Sequence, residues 1–254
     1  MIRASENGLT LFRFENLSAC PGLNHAVFSR LGGSSSPPFT SLNLGTAEGD
    51  HPETVEQNRG AVAACFGHRP MAFVKQVHGD DVLVFKKGGQ AFDPSPKPRA
   101  DAMITDIPGL MLAVKLADCQ GVLLHDPVKQ VAAAVHSGWR GSVLDIIGKT
   151  IARMKTDFGC DPGDIMAGIS PSLGSCCAEF VNYRTELPES FWPYRDSRDR
   201  FDFWQISRDQ MTAAGLLDAH IEIADICTRC RTDLFFSYRG EGRTGRFAAV
   251  IGMV

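Results

Sequence analysis

Three short apolar runs follow one another closely in the middle of the chain, and they constrain the fold more than any other feature of the sequence. The runs are GLMLAVKLAD, GVLLHD and QVAAAVH, and they lie within residues 109–136. Each run ends in polar residues. Continuous apolar runs of this length are typical of strands that are buried on both faces. The sequence therefore predicts a buried sheet whose strand ends carry functional groups.

Other segments have the patterns of helices, loops and turns. A helix is predicted from about Pro52 to Cys65, and a second follows the strand-to-helix turn Gly138–Gly141, with apolar residues at helical spacing over 144–154. The Gly- and Pro-rich segment 86–100 predicts an exposed loop, and 234–254 predicts a hairpin. Strands and helices mixed in this way, without a repeat of fixed period, predict an α+β fold in one domain, 1–254.

Composition and charge exclude several classes of protein. The 254 residues carry 26 basic and 29 acidic side chains, a formal net charge of -3, so neither nucleic acid nor an anionic membrane is an expected partner. No apolar run approaches the roughly 20 residues that span a bilayer, and MIRASENGLTLFRF lacks the apolar centre of a signal peptide. We expect a cytoplasmic protein whose partners are small molecules or other proteins.

Eight cysteines are many for a cytoplasmic protein. Without an export signal they should stay reduced, so metal binding, catalysis or burial has to explain them. Cys227 and Cys230 have the spacing of half a zinc ribbon or of a redox pair, but no second CxxC accompanies them. The adjacent Cys176 and Cys177 suit metal binding or oxidation as well as a tight turn. For both pairs the sequence favours a structural role.

Three residues with metal-binding side chains occupy similar places in the predicted sheet. His78 follows the strand AFVKQV, Cys119 follows LAVKLAD, and His136 ends VAAAV. Two imidazoles and one thiolate form a recognised zinc set, and three protein ligands leave a fourth position open, as in catalytic zinc sites. The alternative is that each is a hydrogen-bonded or packing residue of the core. Their spacing does not decide between the two.

These residues belong to a series of motifs that together resemble the laccase-domain family. The motifs run in order along nearly the whole chain: HAVFSRLGG (25–33), SLNLG (41–45), Gly49-Asp50, Asn58-Arg59, QVHG (76–79), ADC (117–119), HSGWRG (136–141), Cys227-Thr228 and FFSYRGEGRTGR (235–246). ADC followed by H-x-GWRG is specific to this family. The family is described as zinc-dependent purine nucleoside phosphorylases, formerly multicopper polyphenol oxidoreductases, whose bacterial members are also called peptidoglycan editing factors.

The resemblance implies a fold, a metal site and an activity. The fold is a four-layer α/β/β/α sandwich with mixed β-sheets, and the metal is Zn²⁺ bound by His78, Cys119 and His136, with copper as the less favoured alternative. The activity is phosphorolysis of adenosine, inosine, guanosine and methylthioadenosine, with adenosine deamination at the same site. Purine nucleosides and phosphate are then the partners. The sequence leaves open the preferred nucleoside, the balance of the two reactions, the pathway and the oligomeric state.

Phosphorolysis requires groups that hold an anion and the nucleoside, and the matching motifs offer candidates. Four arginines suit the phosphate, although surface salt bridges are an equally good use for each: Arg30, Arg59, Arg140 and Arg239. Asn43 and Gln76 are candidates for ribose or base, with turn stabilisation as the alternative. Asp118 is a candidate for proton transfer, or for holding a ligand histidine. Trp139 suits base stacking or the core.

The chain departs from the family pattern at a few places. In SPSLGSCCAEF, Ser170, Ala178 and Phe180 replace the usual residues, which puts the shape of the pocket there in doubt. Gly121 stands where proline is common after the metal cysteine, and Gly240 stands where a second arginine is usual. None of these changes touches the predicted ligands.

Three other functions compete with the phosphorylase. A hydrolase with Cys119 as nucleophile and His136 or His78 as base would edit peptidoglycan precursors by removing a wrongly incorporated amino acid. A copper polyphenol oxidase would need a histidine-rich ligand set, and the seven histidines are scattered without H-x-H spacing. In a binding protein, the zinc would only hold the fold together.

Overall fold

The apolar runs in the middle of the chain form strands whose successive side chains enter two different cores. In the strand Val131–Ser137, Ala132 and Ala134 face one core, whereas Val131, Ala133 and Val135 face another. Successive side chains of a strand point to opposite faces, so a strand covered on both sides must be apolar at every position. The computed structural model describes residues 1–89 and 98–254, and in it all three runs are strands, as predicted.

The secondary structure mixes strands and helices along the chain. The strands are β1 (Ile2–Glu6), β2 (Leu9–Arg13), β3 (Leu23–Phe28), β4 (Met71–Phe73), β5 (Val82–Phe85), β6 (Ala102–Thr105), β7 (Met111–Leu116), β8 (Gln120–Asp126), β9 (Val131–Ser137), β10 (Met166–Ile169), β11 (Ile221–Ile223) and β12 (Phe247–Met253). The α-helices are α1 (Glu15–Ser18), α2 (Pro52–Ala64), α3 (Trp139–Val143), α4 (Ile146–Phe158), α5 (Tyr183–Glu186), α6 (Phe203–Ala213) and α7 (Tyr238–Glu241).

The strands form two six-stranded sheets, both of them mixed. The first has the order β1-β2-β3-β12-β7-β4, antiparallel except for the pairing of β4 with β7. The second has the order β11-β10-β8-β9-β6-β5, with parallel pairings at both edges. The chain crosses from the first sheet to the second between β7 and β8. The residues of that crossing therefore lie where the two sheets meet.

Three apolar cores separate four layers. The first core lies between the sheets and joins Phe12 and Val114 of one to Leu123 and Ala134 of the other. A second holds α4 against the outer face of the second sheet, and a third holds α2 against the outer face of the first. The predicted α/β/β/α sandwich is confirmed. Both ends of the chain contribute to the core between the sheets, through Phe12 and Met253. The single domain, 1–254, stays a prediction.

Two predictions at element level need comment. The hairpin predicted over 234–254 is wrong, because Tyr238–Glu241 is helical and β12 pairs with β3 and β7 instead of with its own preceding segment. Phe247, Ala249 and Ile251 of β12 enter the core between the sheets, and Ala248 and Val250 enter the core under α2, which local patterning does not reveal. The predicted exposed loop 86–100 lies largely outside the described residues. Within the described part of the chain, no helix combines the length and apolar character needed to cross a membrane.

His25 should make the stability of the fold depend on pH. Its ring is 2% exposed, and its Nε2 accepts a hydrogen bond from the Phe14 N–H at 2.9 Å. Burial, reinforced by the nearby Arg13 charge, lowers the pKa of His25 to about 4. The unfolded chain, with a histidine pKa of about 6.5, binds a proton that the folded chain excludes. The contribution of His25 to the free energy of unfolding is complete above pH 6.5 and falls by up to about 3 kcal/mol as the pH drops to 4.

Urea unfolding at pH 7 and pH 4.5 tests this dependence. His25→Gln, which keeps an acceptor that does not titrate, should lose less stability than the native chain between the two values. His51→Gln, at an exposed histidine, should behave as the native chain does. An equal loss in the native and His25→Gln chains would contradict the assignment.

Candidate metal centre and active-site cleft

The three predicted ligands converge at the junction of the two sheets. His78 lies in the segment after β4, Cys119 lies in the crossing from β7 to β8, and His136 is near the end of β9. The antiparallel register of β8 and β9 places Gly121 opposite His136, so Cys119 and His136 are held on the same edge. The predicted convergence of the polar strand ends is thus present in the structure.

The ligand atoms of these residues lie at metal-binding distances from one another. One ligand atom from each of His78, Cys119 and His136 lies within 4.8 Å of the others. The Cys119 Sγ is 3.9 Å from the His78 Nε2, and the two imidazole centroids are 4.9 Å apart with their planes inclined by 75°. His78 is exposed and His136 is buried. The set is therefore open to the surface on the His78 side, as a site with a free coordination position requires.

Asp101 orients two of the three ligands. The His136 Nδ1 lies 2.8 Å from the Asp101 Oδ1, and because a carboxylate can only accept, Nδ1 carries a proton and Nε2 is the nitrogen left to bind a metal once it has lost its own. The same carboxylate accepts the backbone N–H groups of Val77, His78 and Gly79 at 2.8–3.2 Å. These contacts support His78 in a left-handed conformation with a φ of 60°.

The thiol and the imidazole shift each other's protonation. Burial opposes ionisation of Cys119, but the charge and hydrogen bonds of His136 and His78 outweigh it and lower the pKa of the thiol to about 6. Burial likewise disfavours a charged His136, yet Cys119 and Asp101 raise the pKa of this imidazole to about 9. The two shifts describe one coupled thiolate–imidazolium pair. A thiolate is the form of cysteine that binds metals.

The surroundings leave room for an ion beside the sulfur. A Cβ at position 138 would lie 2.9 Å from the Cys119 Sγ and 3.2 Å from the His78 Cδ2, so Gly138 keeps this space clear. One thiolate and two imidazoles, one of them oriented by a carboxylate, form a donor set that suits zinc in chemistry and in number. The residues present therefore fit a bound divalent ion.

The ligands open into a cleft with an excess of positive charge. Its volume is about 940 Å³, within the size range of small-molecule sites. The acidic side chains of the lining are Glu48 and Asp118, and the basic ones are Lys75, Arg99, Lys115, Arg239 and Arg246. Arg246 lies 3.3 Å from Glu48, which neutralises part of its charge. The remaining excess favours an anionic ligand.

Asp118 joins the cleft to the C-terminal segment. Its carboxylate accepts hydrogen bonds from the Thr228 Oγ1 at 2.7 Å, the Ser237 Oγ at 2.6 Å and the Arg239 N–H at 2.6 Å. Its backbone has a φ of 87°, which is unusual for a residue other than glycine. Asp101, and not Asp118, is the carboxylate that contacts His136. Asp118 lines the cleft as a positioning residue for the segment that carries Arg239.

The two predicted amides both hold backbone in place. The side chain of Asn43 is fully buried and donates to Gly45 O and Asp50 Oδ2, while its oxygen accepts from the N–H groups of Gly45 and Arg246. Gln76 lines the cleft, but its amide bonds to both the N–H and the carbonyl oxygen of Lys115. Because the amide of Asn43 is saturated, it acts on a ligand through the loop that it shapes.

The four predicted arginines have different environments. Arg30 donates to Thr40 O, Thr232 O and Glu241, and Arg59 donates to Leu44 O. The guanidinium of Arg140 lies 5.0 Å from the ring centroid of Trp139, at the start of α3. Arg239 lines the cleft, where one guanidinium nitrogen donates to Glu179 O. Arg239 is therefore the best placed of the four for a phosphate.

Two departures from the family pattern compensate for each other. Gly121 has the N–H that proline would lack, and this N–H donates to the Ser170 Oγ at 2.9 Å. Ser170 is itself one of the departures. Phe180 packs edge to face against Trp139 at 6.2 Å and so helps to cover the apolar recess beside Cys119. Gly240 lies in α7, where its N–H donates to the Ser237 Oγ.

The sequence did not reveal several residues of the centre and the cleft. Asp101 directly precedes the apolar strand β6, where a charged residue is unusual. Arg246 ends a matching motif, whereas Lys75, Arg99 and Lys115 carry no pattern that distinguishes them from surface residues. Four cysteines far from this centre in sequence, Cys176, Cys177, Cys227 and Cys230, form a second cluster of potential metal ligands among the described residues.

Fold and site together define a class of α+β proteins with a His/Cys/His set that could hold a metal ion, in a basic cleft. Residues 24–254 match the family described as "Multi-copper polyphenol oxidoreductase laccase", and the chain belongs to this family. It is 35% identical over 239 residues to the purine nucleoside phosphorylase YlmD of Geobacillus stearothermophilus, covering 87% of this chain and 86% of that protein. It is 34% identical over 236 residues to the purine nucleoside phosphorylase YfiH of Escherichia coli, covering 89% and 92%.

Solved structures show the same fold. The crystal structure of YlmD from Geobacillus stearothermophilus superposes with a TM-score of 0.87 at 31% identity, over 99% of this chain and 98% of that one. That of the hypothetical protein YfiH from Bacillus licheniformis superposes with a TM-score of 0.88 at 30% identity, over 98% and 97%. The expected family membership is confirmed.

Proposed function

We propose that this chain is a zinc-dependent purine nucleoside phosphorylase that acts on adenosine, inosine, guanosine and methylthioadenosine and also deaminates adenosine. The observation that carries the proposal is the position of the His78–Cys119–His136 set in the wall of a basic cleft large enough for a nucleoside and a phosphate. The names of the relatives support the purine nucleoside phosphorylase activity. The cytoplasm is the expected location.

Phosphorolysis needs an anion to be held beside the sugar while the base departs. An oxygen of phosphate forms a bond to C1′ of the ribose, and the bond from C1′ to the purine nitrogen breaks. The purine keeps the electron pair and takes up a proton, and the sugar leaves as its 1-phosphate. Arg239, with Lys115 and Arg246, lies where it can hold the phosphate. Zinc held by His78, Cys119 and His136 would supply a Lewis acid that stabilises negative charge.

Other residues of the chain position these groups. Asp101 fixes the tautomer of His136, and Gly138 leaves space beside Cys119. Asp118 holds the backbone of Arg239 and so sets where its guanidinium enters the cleft. Tyr238, 64% exposed in the lining of the cleft, offers a ring on which a purine can stack. In the deamination of adenosine, Asp118 is our candidate for proton transfer because it lines the cleft beside Cys119.

Product analysis tests the proposal. The zinc-loaded protein is incubated with adenosine, inosine and methylthioadenosine, each with and without phosphate, and the products are separated by chromatography. Release of free base should require phosphate. Arg239→Met should raise KM for phosphate about 10-fold or more, the usual cost of one charged hydrogen bond, with little effect on KM for the nucleoside.

Arg153→Met is the matched control, because Arg153 lies on α4 and pairs with Asp157. It should leave both KM values unchanged. Base release that does not depend on phosphate would contradict the phosphorylase, and a normal phosphate KM in Arg239→Met would contradict the role of this residue. Inosine formed from adenosine without phosphate would support the deaminase activity.

A hydrolase acting on peptidoglycan precursors is the second candidate. The observation in its favour is that Cys119 and two histidines form a compact thiol–imidazole group, which also suits a cysteine nucleophile with a general base. Zinc bound without turnover of any nucleoside would favour this function. Two histidines and one cysteine also suit a single copper ion. The two groups of potential metal ligands in the described residues hold only these two histidines, too few for the several coppers of a polyphenol oxidase.

A further inference from the structure

Two cysteine pairs that are distant in sequence meet at one edge of the second sheet. Cys176 and Cys177 lie in the turn that follows β10, and Cys227 and Cys230 lie in the segment that follows β11. The strands β10 and β11 are parallel neighbours, so their carboxyl ends reach the same edge. A further bridge between Ser172 and Cys227 extends the pairing as far as the cysteines. The topology therefore places all four thiols together.

The sulfur positions match those of a tetrahedral ion site. All four Sγ atoms lie within 4.8 Å of one another, and Cys230 Sγ is 3.6 Å from the sulfurs of both Cys176 and Cys177. Zinc binds thiolates at about 2.3 Å in a tetrahedron, which separates the sulfurs by about 3.8 Å. Small side-chain rotations that move the sulfur atoms by a few tenths of an ångström to about 1 Å bring them to this separation. The spacing leaves space for one ion and not for a cluster of several metals.

We propose that Cys176, Cys177, Cys227 and Cys230 bind a single zinc ion as four thiolates, at a second metal site separate from the His78–Cys119–His136 centre. A closed set of four cysteines is typical of structural zinc, whereas the three-ligand centre in the cleft keeps a position open. The second ion therefore holds the fold and takes no part in the reaction. This inference does not depend on the proposed nucleoside chemistry.

The environment of the cluster suits a bound ion better than a packing role. Cys176 and Cys230 are exposed, although cysteines that serve packing are usually buried. Arg200 donates to Cys176 O at 2.8 Å and pairs with Asp196 at 3.1 Å, so it brings a partly neutralised positive charge close to a site with a net charge of −2.

Gly174 shows that the two turns must approach closely. A Cβ at this position would lie 2.7 Å from the ring of Trp204 and 3.1 Å from the Cys227 Cβ. The indole N–H of Trp204 in turn donates to the Ser172 Oγ at 2.6 Å. The cysteines are thus held by a packed support and not by loops that are free to move apart.

The second ion would brace one wall of the cleft. Thr228 lies between Cys227 and Cys230, and its hydroxyl donates to the carboxylate of Asp118 at 2.7 Å. Leu173, on the turn that leads to Cys176, donates its N–H to Asp118 O at 2.8 Å. Both cysteine segments therefore contact the residue next to Cys119. Loss of the ion should loosen this wall without removing a group that touches the substrate.

Metal analysis of the full chain tests the proposal. Elemental analysis after gel filtration should find two zinc ions per native chain. Cys119→Ala should retain one, and X-ray absorption of that variant should give four sulfur neighbours at about 2.3 Å. The double variant Cys176→Ser/Cys230→Ser should also retain one ion and unfold at a lower temperature. The control Cys20→Ser/Cys65→Ser changes two cysteines outside both sites and should keep two.

Three results would overturn the proposal. The first is a Cys119→Ala protein that holds no zinc. The second is a nitrogen or oxygen neighbour of zinc in the X-ray absorption spectrum of that variant. The third is a disulfide between any two of the four cysteines, found by mass spectrometry in freshly purified native protein. The Cys119→Ala measurement decides the matter even if the double variant does not fold. Failure of nucleoside turnover would bear only on the proposed function, because the zinc count does not depend on it.

Discussion

Replacing Cys119 with alanine should remove one zinc ion per chain and reduce phosphorolysis roughly a thousandfold, or about 4 kcal/mol of transition-state stabilisation, without unfolding the protein. The two histidines alone leave an incomplete ligand set, since the sulfur is the third donor within 4.8 Å. The fold should survive because both sheets and all three cores lie outside the change.

Zinc analysis, product chromatography and circular dichroism on the same preparation measure these effects. Cys160→Ala is the matched control, because Cys160 is a buried cysteine of the core around α4 and contacts neither cysteine site. It should keep its zinc and its turnover. A folded Cys119→Ala protein with full phosphorolysis and less zinc would contradict the catalytic metal centre. A protein that unfolds when it loses this zinc would instead support a purely structural ion.

Replacing Asp101 with asparagine should weaken zinc binding at the same centre by about 10- to 100-fold, the usual effect of losing an oriented partner of a metal ligand. Burial opposes the charge of Asp101, but hydrogen bonds from His136 and the Gly79 N–H keep the pKa of this carboxyl below its usual range. An asparagine must present its NH₂ group either to the His136 Nδ1–H and the His78 N–H or, in the other orientation, to the Gly79 N–H. Either change misorients a ligand.

Competition with a chelator measures the zinc affinity of Asp101→Asn, and kcat at saturating zinc separates metal loading from chemistry. Most of kcat should return when zinc is in excess, because Asp101 acts through His136. The control is Asp126→Asn, at another buried aspartate of the second sheet whose contacts are with the turn at Val128 and Lys129. A native zinc affinity in the Asp101→Asn variant would contradict the role of Asp101 in orienting His136.

The sequence predicted the three candidate ligands because their positions follow from local patterning. A buried strand that ends in a polar residue places that residue at the edge of a sheet, and this holds for His78, Cys119 and His136 alike. The crossing from β7 to β8 and the pairing of β8 with β9 bring Cys119 and His136 together. Local patterning does not predict either feature, so the grouping of the three residues rested on the resemblance to a family.

The roles of the polar residues around the ligands were harder to predict. Asn43, Arg30 and Arg59 lie in matching motifs, yet their hydrogen bonds go to backbone carbonyls and loop residues. Whether such a side chain meets a ligand or its own backbone depends on which carbonyl lies nearby, and that is set by residues up to about 200 positions away. Asp101 was missed for the same reason, because its partners are three N–H groups and a histidine from other segments.

The cysteines illustrate the same limit. As pairs in the sequence, Cys176-Cys177 and Cys227-x-x-Cys230 lack the repeat that makes a zinc ribbon recognisable, so a structural role without metal was favoured. The parallel pairing of β10 with β11 brings the four sulfurs together. Spacing along the chain is informative when one short loop supplies the ligands, and it fails when two strands supply them.

The sequence by itself determined the class of fold, the strands that are buried on both faces and the three residues that end them, because side-chain periodicity and burial are local properties of the chain. Tertiary structure alone decided that Asp101 orients His136, that Arg239 among the predicted arginines enters the cleft, and that four distant thiols form one cluster. Those outcomes depend on distances of a few ångströms between segments far apart in sequence, and only the packing of the two sheets sets such distances.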